Sequence, residues 1–365
     1  MTPLLAAPTL SGELAVCPHC GSNQWQKLPT HWLCESGHAI PTINEFPDFS
    51  QAKPLSTQDR RLRDALYDGL LGRYYGFVMP LLSIPVRPFV QSVPHWIFFL
   101  AAWVVLLGIV FGAAAAFIDD HFVLLAALSA LFMLYCGLLY RHPYFFWLLL
   151  FAIPAKVAVV ARPYLPPQQF NDVHRRLVST LREARCRTVL DVSTGSCNSL
   201  LRHGWTKLQA QFHGVDLSAT MLIRGARNAA AVGVPIRLYI ADAQALPFPD
   251  NCMDLVLNYG ALNGYQDQKL ALSEMARVLK PRGVLVCLDE QLYDGAGRFE
   301  SLYFRRVLAA HDTIDRFPRE AMPTSLELIE LHQIYQFYYL AIMRKRELSG
   351  VFPVERLLHT DQRTR

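Results

Sequence analysis

The chain has 365 residues, enough for two or three domains, and 52% of them are hydrophobic against only 18% charged. That balance is unusually apolar for a soluble enzyme, so a membrane part is expected. The formal charge of +5 is too modest to argue for a polyanionic partner, and the basic residues matter by where they fall. Eight cysteines, three of them near the N-terminus, show no secreted disulfide pattern and fit reduced thiols in a cytosolic compartment. Met1–Val16 lacks the basic start and long apolar core of a signal peptide, and no internal repeat is visible.

In chain order, Cys17-Pro-His-Cys20 comes first, followed by Cys34 and His38. Zinc takes thiolate and imidazole together in a tetrahedral site, so Cys17, Cys20, Cys34 and His38 form the expected ligand set. His19 and His31 compete for the fourth position at poorer spacing. A redox C-x-x-C is the other reading of the first pair, but it would normally be attached to a βαβ unit that this segment lacks. Four protein ligands leave no open coordination position, so the metal's expected role is structural. Residues 1–50, through CPHCGSNQWQKLPTHWLCESGHAIPTINEFPDF, resemble small zinc ribbons, including the one leading a bacterial ribosomal-RNA guanine methyltransferase. Such a ribbon is too small for a sufficient apolar core, and metal binding supplies much of its folding free energy.

Residues 51–94 are expected to be a linker or interfacial segment. Gln51–Phe77 is polar and helix-compatible, with Arg60, Arg61, Arg63 and Arg73, and the following stretch to Pro94 is bent by Pro80, Pro85, Pro88 and Pro94. Ile97–Ile118 is then an uncharged run of 22 residues, long enough for a bilayer core of about 30 Å. Phe122–Tyr140 is a second run, separated from the first only by Asp119-Asp120-His121. Residues 95–141 therefore read as a two-helix transmembrane hairpin, with a buried soluble hairpin as the alternative. Arg87 and Arg141 flank it while its turn is acidic, which puts both termini in the cytosol of a two-pass protein of the inner, cytoplasmic membrane. Trp96 and Trp147 lie where interfacial anchors are expected. Within 142–165, Tyr144–Val160 is apolar but interrupted by Pro154 and Lys156, and is expected to be re-entrant or interface-lying. Arg162, Arg175, Arg176, Arg182, Arg185 and Arg187 follow, suited either to anionic headgroups or to a solvated helix face.

Residues 166–348 are expected to form one α/β domain. Thr188–Val192 is a short apolar, β-branched run, a buried parallel strand by composition. The small residues of VLDVSTGSCN then turn tightly, and Ser199–Gln211 can continue as a helix, together the opening unit of a dinucleotide-type site. A second strand, Phe212–Val215, ends on Asp216, placed to bond a ribose. Arg237–Ala241 ends on Asp242, Met253–Asn258 is a fourth strand, KLALSEMARVLK a helix, and Val284–Leu288 a fifth strand. Glu300–Ala310 reads as helical and Arg316–Pro323 as a loop. Leu326–Met343 has an ambiguous period, fitting an antiparallel hairpin or one long helix, and 349–365 is expected to be a flexible tail.

The stretches VLDVSTGS, GVDLSATML, ADAQALPFPDNCMDLV and EMARVLKPRGVL, in this order and spacing, resemble class I S-adenosylmethionine-dependent methyltransferases, especially the ubiquinone/menaquinone-biosynthesis C-methyltransferase branch. The resemblance covers about Thr188–Glu290. It implies a Rossmann-like seven-stranded domain, favours the final hairpin, and implies S-adenosyl-L-methionine as cofactor. Asp191 would anchor the turn with Ser193 and Gly195, Asp216 and Leu217 would hold the ribose, and Asp242 and Ala243 the adenine edge, with Asn258 nearby. The family's turn reads D-x-G-x-G-x-G, and here Ser193 and Cys197 replace the first and third glycines. Cys197 is expected to add a side chain where the backbone grazes the cofactor's methionine end.

Substrate-facing residues should follow the fourth and fifth strands: Asn258, Tyr259, Asn263, Asp289 and Glu290. Asp289 or Glu290 would act as base toward a phenol or acidic carbon, or else cap a helix or orient a loop. No Asn-Pro-Pro-Tyr follows the fourth strand, which argues against amino-group methylation of adenine or glutamine. The leading expectation is a membrane-anchored methyltransferase of a lipid-soluble molecule, in contact with membrane lipids: a quinone, isoprenoid or polyketide lipid precursor. The alternatives are an RNA methyltransferase, suggested by the ribbon though basic and aromatic interleaving is lacking, and a non-catalytic cofactor-binding scaffold.

Overall fold

Two sheets organise the chain in a computed structural model that describes residues 13–52, 55, 60, 62–69, 167–294, 301, 316–334 and 338–347. The apolar runs 97–118 and 122–140, the segment 142–165, the stretch 302–310 and the tail 349–365 lie outside the described residues. Among the described residues, no helix is long and apolar enough to cross a membrane.

The first sheet is antiparallel, in the order Trp25–Lys27 (β1), His31–Cys34 (β2), Ala39–Ile43 (β3) and Phe46–Pro47 (β4). Asn44 and Glu45 both take positive φ (51° and 74°), as a two-residue hairpin turn of the primed kind requires. Helix α1, Pro167–Glu183, starts on proline, whose missing N–H costs nothing at a first helical position. It buries Val178 and Leu181 and exposes Arg175, Arg176 and Arg182. Its end is a Schellman arrangement: Arg185 is left-handed (φ 57°), and Cys186 N–H donates to the Leu181 carbonyl at 2.9 Å.

Thr188–Val192 (β5), Asn198–Arg202 (α2), Gln211–Asp216 (β6), Ala219–Ala231 (α3), Ile236–Ile240 (β7), Met253–Tyr259 (β8), Gln268–Val278 (α4), Leu279–Glu290 (β9), Leu326–Ile334 (β10) and Tyr338–Lys345 (β11) follow. The second sheet runs β10-β11-β9-β8-β5-β6-β7, with β5 to β9 parallel and β11 antiparallel to both neighbours. β5 is an interior strand between β8 and β6, and Val189, Leu190 and Val192 are wholly buried, which explains its unbroken apolar run. The chain leaves β5 in one direction through β6 and β7, then returns to its other side at β8. That reversal opens a crevice at the carboxyl ends of β5 and β8, where ligands of open parallel sheets bind.

Two expected elements differ in detail, and a third is resolved. The helix foreseen over Ser199–Gln211 stops at Arg202, because Gly204 takes a left-handed conformation (φ 81°) and Trp205–Lys207 forms a separate 3-10 turn around the fully buried Trp205. The fifth strand begins at Leu279 rather than Val284. Leu279 pairs with Met253 and Val284 with Leu255, so Lys280–Gly283 bulge outward, with Arg282 left-handed (φ 67°). Leu326–Met343 lies in the hairpin β10–β11, as family resemblance favoured.

The small sheet docks on the open edge of the large one. Asp48 bridges Ile240 in parallel, and Phe49 N–H donates to the Ile240 carbonyl at 2.8 Å. Trp25, Trp32, Phe49 and Tyr239 meet with ring centroids 5.8–6.4 Å apart, mostly edge to face. Glu13 accepts from Lys27 Nζ (2.6 Å) and from the Tyr239 hydroxyl, tying both sheets to one carboxylate. Burial would raise the Glu13 pKa, but these donors outweigh it and hold the group below the usual carboxylate range.

Candidate cofactor and metal sites

Cys17, Cys20, Cys34 and His38 come together with their ligand atoms all within 4.8 Å of one another. Cys20 Sγ lies 3.6 Å from Cys34 Sγ, and His38 Nδ1 lies 3.4 Å from Cys34 Sγ and 3.8 Å from Cys17 Sγ. A tetrahedron with zinc–sulfur bonds of about 2.3 Å has edges of roughly 3.8 Å, so the donor set fits zinc in spacing and chemistry. The His38 backbone N–H donates to Cys34 Sγ at 3.2 Å, as a supporting hydrogen bond to a ligand should. His19 stands outside this set, its ring tilted at 40° to that of His38 with centroids 5.1 Å apart.

The crevice begins at the turn after β5. Asp191 is buried and accepts from Thr194 Oγ1 at 2.6 Å, while Thr194 N–H donates to the Val215 carbonyl on β6. Ser193 and Gly195 both take left-handed φ (55° and 52°), coiling the backbone so that Gly195 N–H reaches Asp216 Oδ2 at 2.8 Å. Asp216 Oδ1 accepts from Ser218 N–H at 2.9 Å. Burial raises Asp191 to about 7, with Asp216 adding, and raises Asp216 to about 6 despite the backbone donors around it. Two acids whose negative form is costly in isolation suit a cationic ligand, and S-adenosylmethionine carries both a sulfonium and an ammonium.

On the neighbouring strand end, Asp242 is buried and accepts from Gln244 N–H, and Ala243 is buried beside it; Leu217 is half-buried. Arg277 on α4 fixes this loop by donating to the Leu246 and Phe248 carbonyls and to Asp250.

Cys197 does not turn toward the crevice, which corrects the expectation for it. Its φ is 59°, and its side chain is buried with Leu222, Leu238 and Ile240 on the α3 side of the sheet. Gly225 on α3 makes room: a Cβ there would lie 2.6 Å from Cys197 Sγ and 3.1 Å from the Gly195 carbonyl. The lost glycine of the turn is thus matched by a glycine on the facing helix.

On the acceptor side, Asn258 is fully buried, and its Nδ2 donates to the Val192 carbonyl (3.1 Å) and to the Tyr265 hydroxyl (2.7 Å). Tyr265 also meets Ser193 Oγ at 2.7 Å, so the serine replacing the first glycine pins the β8–α4 loop to the turn. Asn258 Oδ1 has no hydrogen-bond partner among the described residues, a buried acceptor left over at the strand end. Asp289 is fully buried and accepts from the backbone N–H of Asn263 (2.9 Å) and of Glu290 (2.9 Å); burial, with Glu290 adding, pushes it well above the carboxylate range. That geometry suits a loop-orienting residue better than a base. Glu290 is half-buried, and its carbonyl receives Asn263 Nδ2. Tyr259 projects toward α1, packed with Val178, Leu181 and Trp205, and its hydroxyl lies 2.8 Å from His174 Nε2.

Three participants escaped the sequence reading. His174 lies 85 residues from Tyr259, and no local pattern marks it. Tyr265 stands in the loop GYQD without a motif of its own. Asp68 accepts from Ser218 Oγ at 2.5 Å, reaching the α3 N-terminus beside Asp216 from a segment 150 residues away.

Residues 190–287 match the family model described as a methyltransferase domain. Over 136 residues the chain is 37% identical to a demethylmenaquinone methyltransferase of Thermus thermophilus, covering 37% of this chain and 62% of that protein. Over 148 residues it is 30% identical to the ubiquinone/menaquinone biosynthesis C-methyltransferase UbiE of Neisseria meningitidis, covering 40% of this chain and 60% of that one. The chain thus spans about three fifths of the length of these curated relatives. Among solved structures, a putative sarcosine dimethylglycine methyltransferase from Galdieria sulphuraria aligns over 49% of this chain and 85% of its own, with 14% identity and a TM-score of 0.41.

Proposed function

We propose that the chain is an S-adenosylmethionine-dependent methyltransferase that is anchored in a membrane and methylates a lipid-soluble, quinone-type acceptor. The observation that carries this reading is the crevice turn, in which Asp191, Gly195 and Asp216 are held at adjoining strand ends. In this reading Asp216 and Leu217 hold the ribose and Asp242 and Ala243 the adenine edge, while Asp191, Ser193, Gly195 and Asn258 shape the methionine end. The bound cofactor supplies an already activated methyl group. What remains for the chain's own residues is to orient the acceptor and exclude water. Asn258, Tyr259 and Asn263 line the acceptor side, and Asp289 orients the Asn263 loop.

The acceptor class is supported by similarity to demethylmenaquinone methyltransferases and by sequence order. Tyr144–Val160, an apolar run, precedes α1 by a few residues, so the domain begins next to the segment expected at the lipid interface. The two-pass hairpin with cytosolic termini, and zinc on Cys17, Cys20, Cys34 and His38 in a structural role, complete the proposal. Calorimetry on the full chain in detergent tests its core. S-adenosylmethionine should bind the natural protein, and Asp216→Ala should weaken binding roughly ten- to a hundredfold, the worth of a charged hydrogen bond. Absence of binding by the natural protein at millimolar cofactor would overturn the reading.

A further inference from the structure

At the carboxyl end of β8, on the face that carries α1, four side chains close on one another. His174 Nε2 is 2.8 Å from the Tyr259 hydroxyl, and the His174 ring lies 4.9 Å from His203 and 5.4 Å from Trp205. His203 in turn lies 5.6 Å from the Tyr259 ring. His174 and Trp205 are buried, while Tyr259 and His203 are half-buried and form the open side. The cluster sits at the carboxyl end of the sheet, where ligands of open parallel sheets bind. Burial pushes the Tyr259 phenol well above its ordinary range, with Asp191 and Cys287 adding, so its proton is in place at neutral pH. Asp289, one of the two carboxylates considered as a base beside a loop-orienting role, already accepts two backbone N–H groups.

The geometry points to Tyr259 and His174 as a proton relay for a phenolic acceptor. The acceptor's O–H bond breaks and its proton passes to the Tyr259 oxygen, while the Tyr259 proton passes to His174 Nε2, which requires the tautomer protonated on Nδ1. Tyr259 ends unchanged, the acceptor becomes an oxyanion, and His174 becomes an imidazolium, so charge is conserved and no co-reactant is needed. The oxyanion enriches its aromatic ring in electrons, which makes a ring carbon nucleophilic. Tyr259 is the catalytic residue of this pair, and His174 acts through it. The groups facing the pair are Asp191, Cys287 and His203, and Arg175 next to His174 is exposed.

This inference deepens the methyltransferase reading and rests on it, and the test separates the two. The full chain in detergent is mixed with 2-naphthol, a soluble phenol whose anion absorbs at longer wavelength than its neutral form. With the natural protein, the bound naphthol should show the anion spectrum at a pH at least one unit below that needed in water. His174→Gln, which keeps a hydrogen-bonding side chain but cannot take the proton, and Tyr259→Phe should each bind naphthol in its neutral form. An unshifted anion spectrum in both variants, a neutral spectrum in the natural protein, or no naphthol binding at all overturns the relay. Cofactor binding by calorimetry on the same samples shows whether the methyltransferase reading stands when the relay falls.

Discussion

At the residue scale, the crevice acids carry the pH behaviour. Asp191 is raised to about 7 and Asp216 to about 6, both by burial, so the folded chain holds protons there that the unfolded chain has released. Their contribution to stability is therefore fully present below about pH 4 and is lost as pH rises through 6 and 7. Thermal unfolding of the ligand-free protein should show this decline between about pH 4 and 7 and level off above it, and Asp191→Asn, which can still accept from Thr194, should flatten it. An unaltered slope in Asp191→Asn would contradict the account. Cofactor affinity should run the opposite way, weakening by roughly tenfold per pH unit below about 6 as Asp216 protonates. Cys197 and Gly225 make a second residue-scale case. Gly225→Ala forces a Cβ against Cys197 Sγ and should cost about 1–3 kcal/mol, as overpacking does. Cys197→Gly in the same chain should recover most of it, and additive losses in the denaturation cycle would refute the pairing. The acidic strand ends were legible in the sequence because each closes an apolar run. The direction of the Cys197 side chain was not, since it depends on a left-handed φ and on a glycine 28 positions away in the fold's next helix.

At the scale of elements, the parallel strands were legible because a strand buried on both faces must be apolar throughout. Where α2 ends and where β9 begins were not, since a left-handed Gly204 and the bulge at Lys280–Gly283 answer to packing on neighbours rather than to local propensity. The Cys/His cluster was visible from its spacing, but the docking of its small sheet was not, because Asp48, Phe49 and Glu13 meet Tyr239 and Ile240 nearly two hundred residues later or more. That docking would give a bound zinc a reach beyond its own ligands. Chelation, or a Cys17→Ser, Cys20→Ser pair, should melt the small sheet and strip the cover from β7. The expected result is loss of bound zinc, a red shift of Trp25 and Trp32 fluorescence, and a lower melting temperature for the large sheet. Zinc content unchanged in the double mutant would remove Cys17 and Cys20 from the site, and an unchanged melting temperature would make the docking incidental.

At the scale of the whole molecule, the proposal joins the small sheet with its Cys/His cluster, an apolar pair of runs and a methyltransferase domain around an acceptor that would dissolve in lipid. The exposed Arg175, Arg176, Arg182, Arg185 and Arg187 lie on or just after α1, the element that follows the apolar segments in the chain. In the proposed reading, this charge and the hairpin would hold the crevice at a membrane surface on the cytosolic side. A cysteine at Asp120 should react with an impermeant thiol reagent added outside intact cells, with native thiols controlled for, and labelling at Ser22 or Asp361 would contradict the orientation. The measurement that bears most directly on the central claim is the lipid content of cells lacking this protein. The account predicts a lipid-soluble quinone-type species lighter by one methyl group, restored to its full mass by the natural chain and not by Asp216→Ala. A lipid extract indistinguishable from that of the parent cells, alongside methyl transfer from S-adenosylmethionine to a water-soluble acceptor or to none, would contradict it.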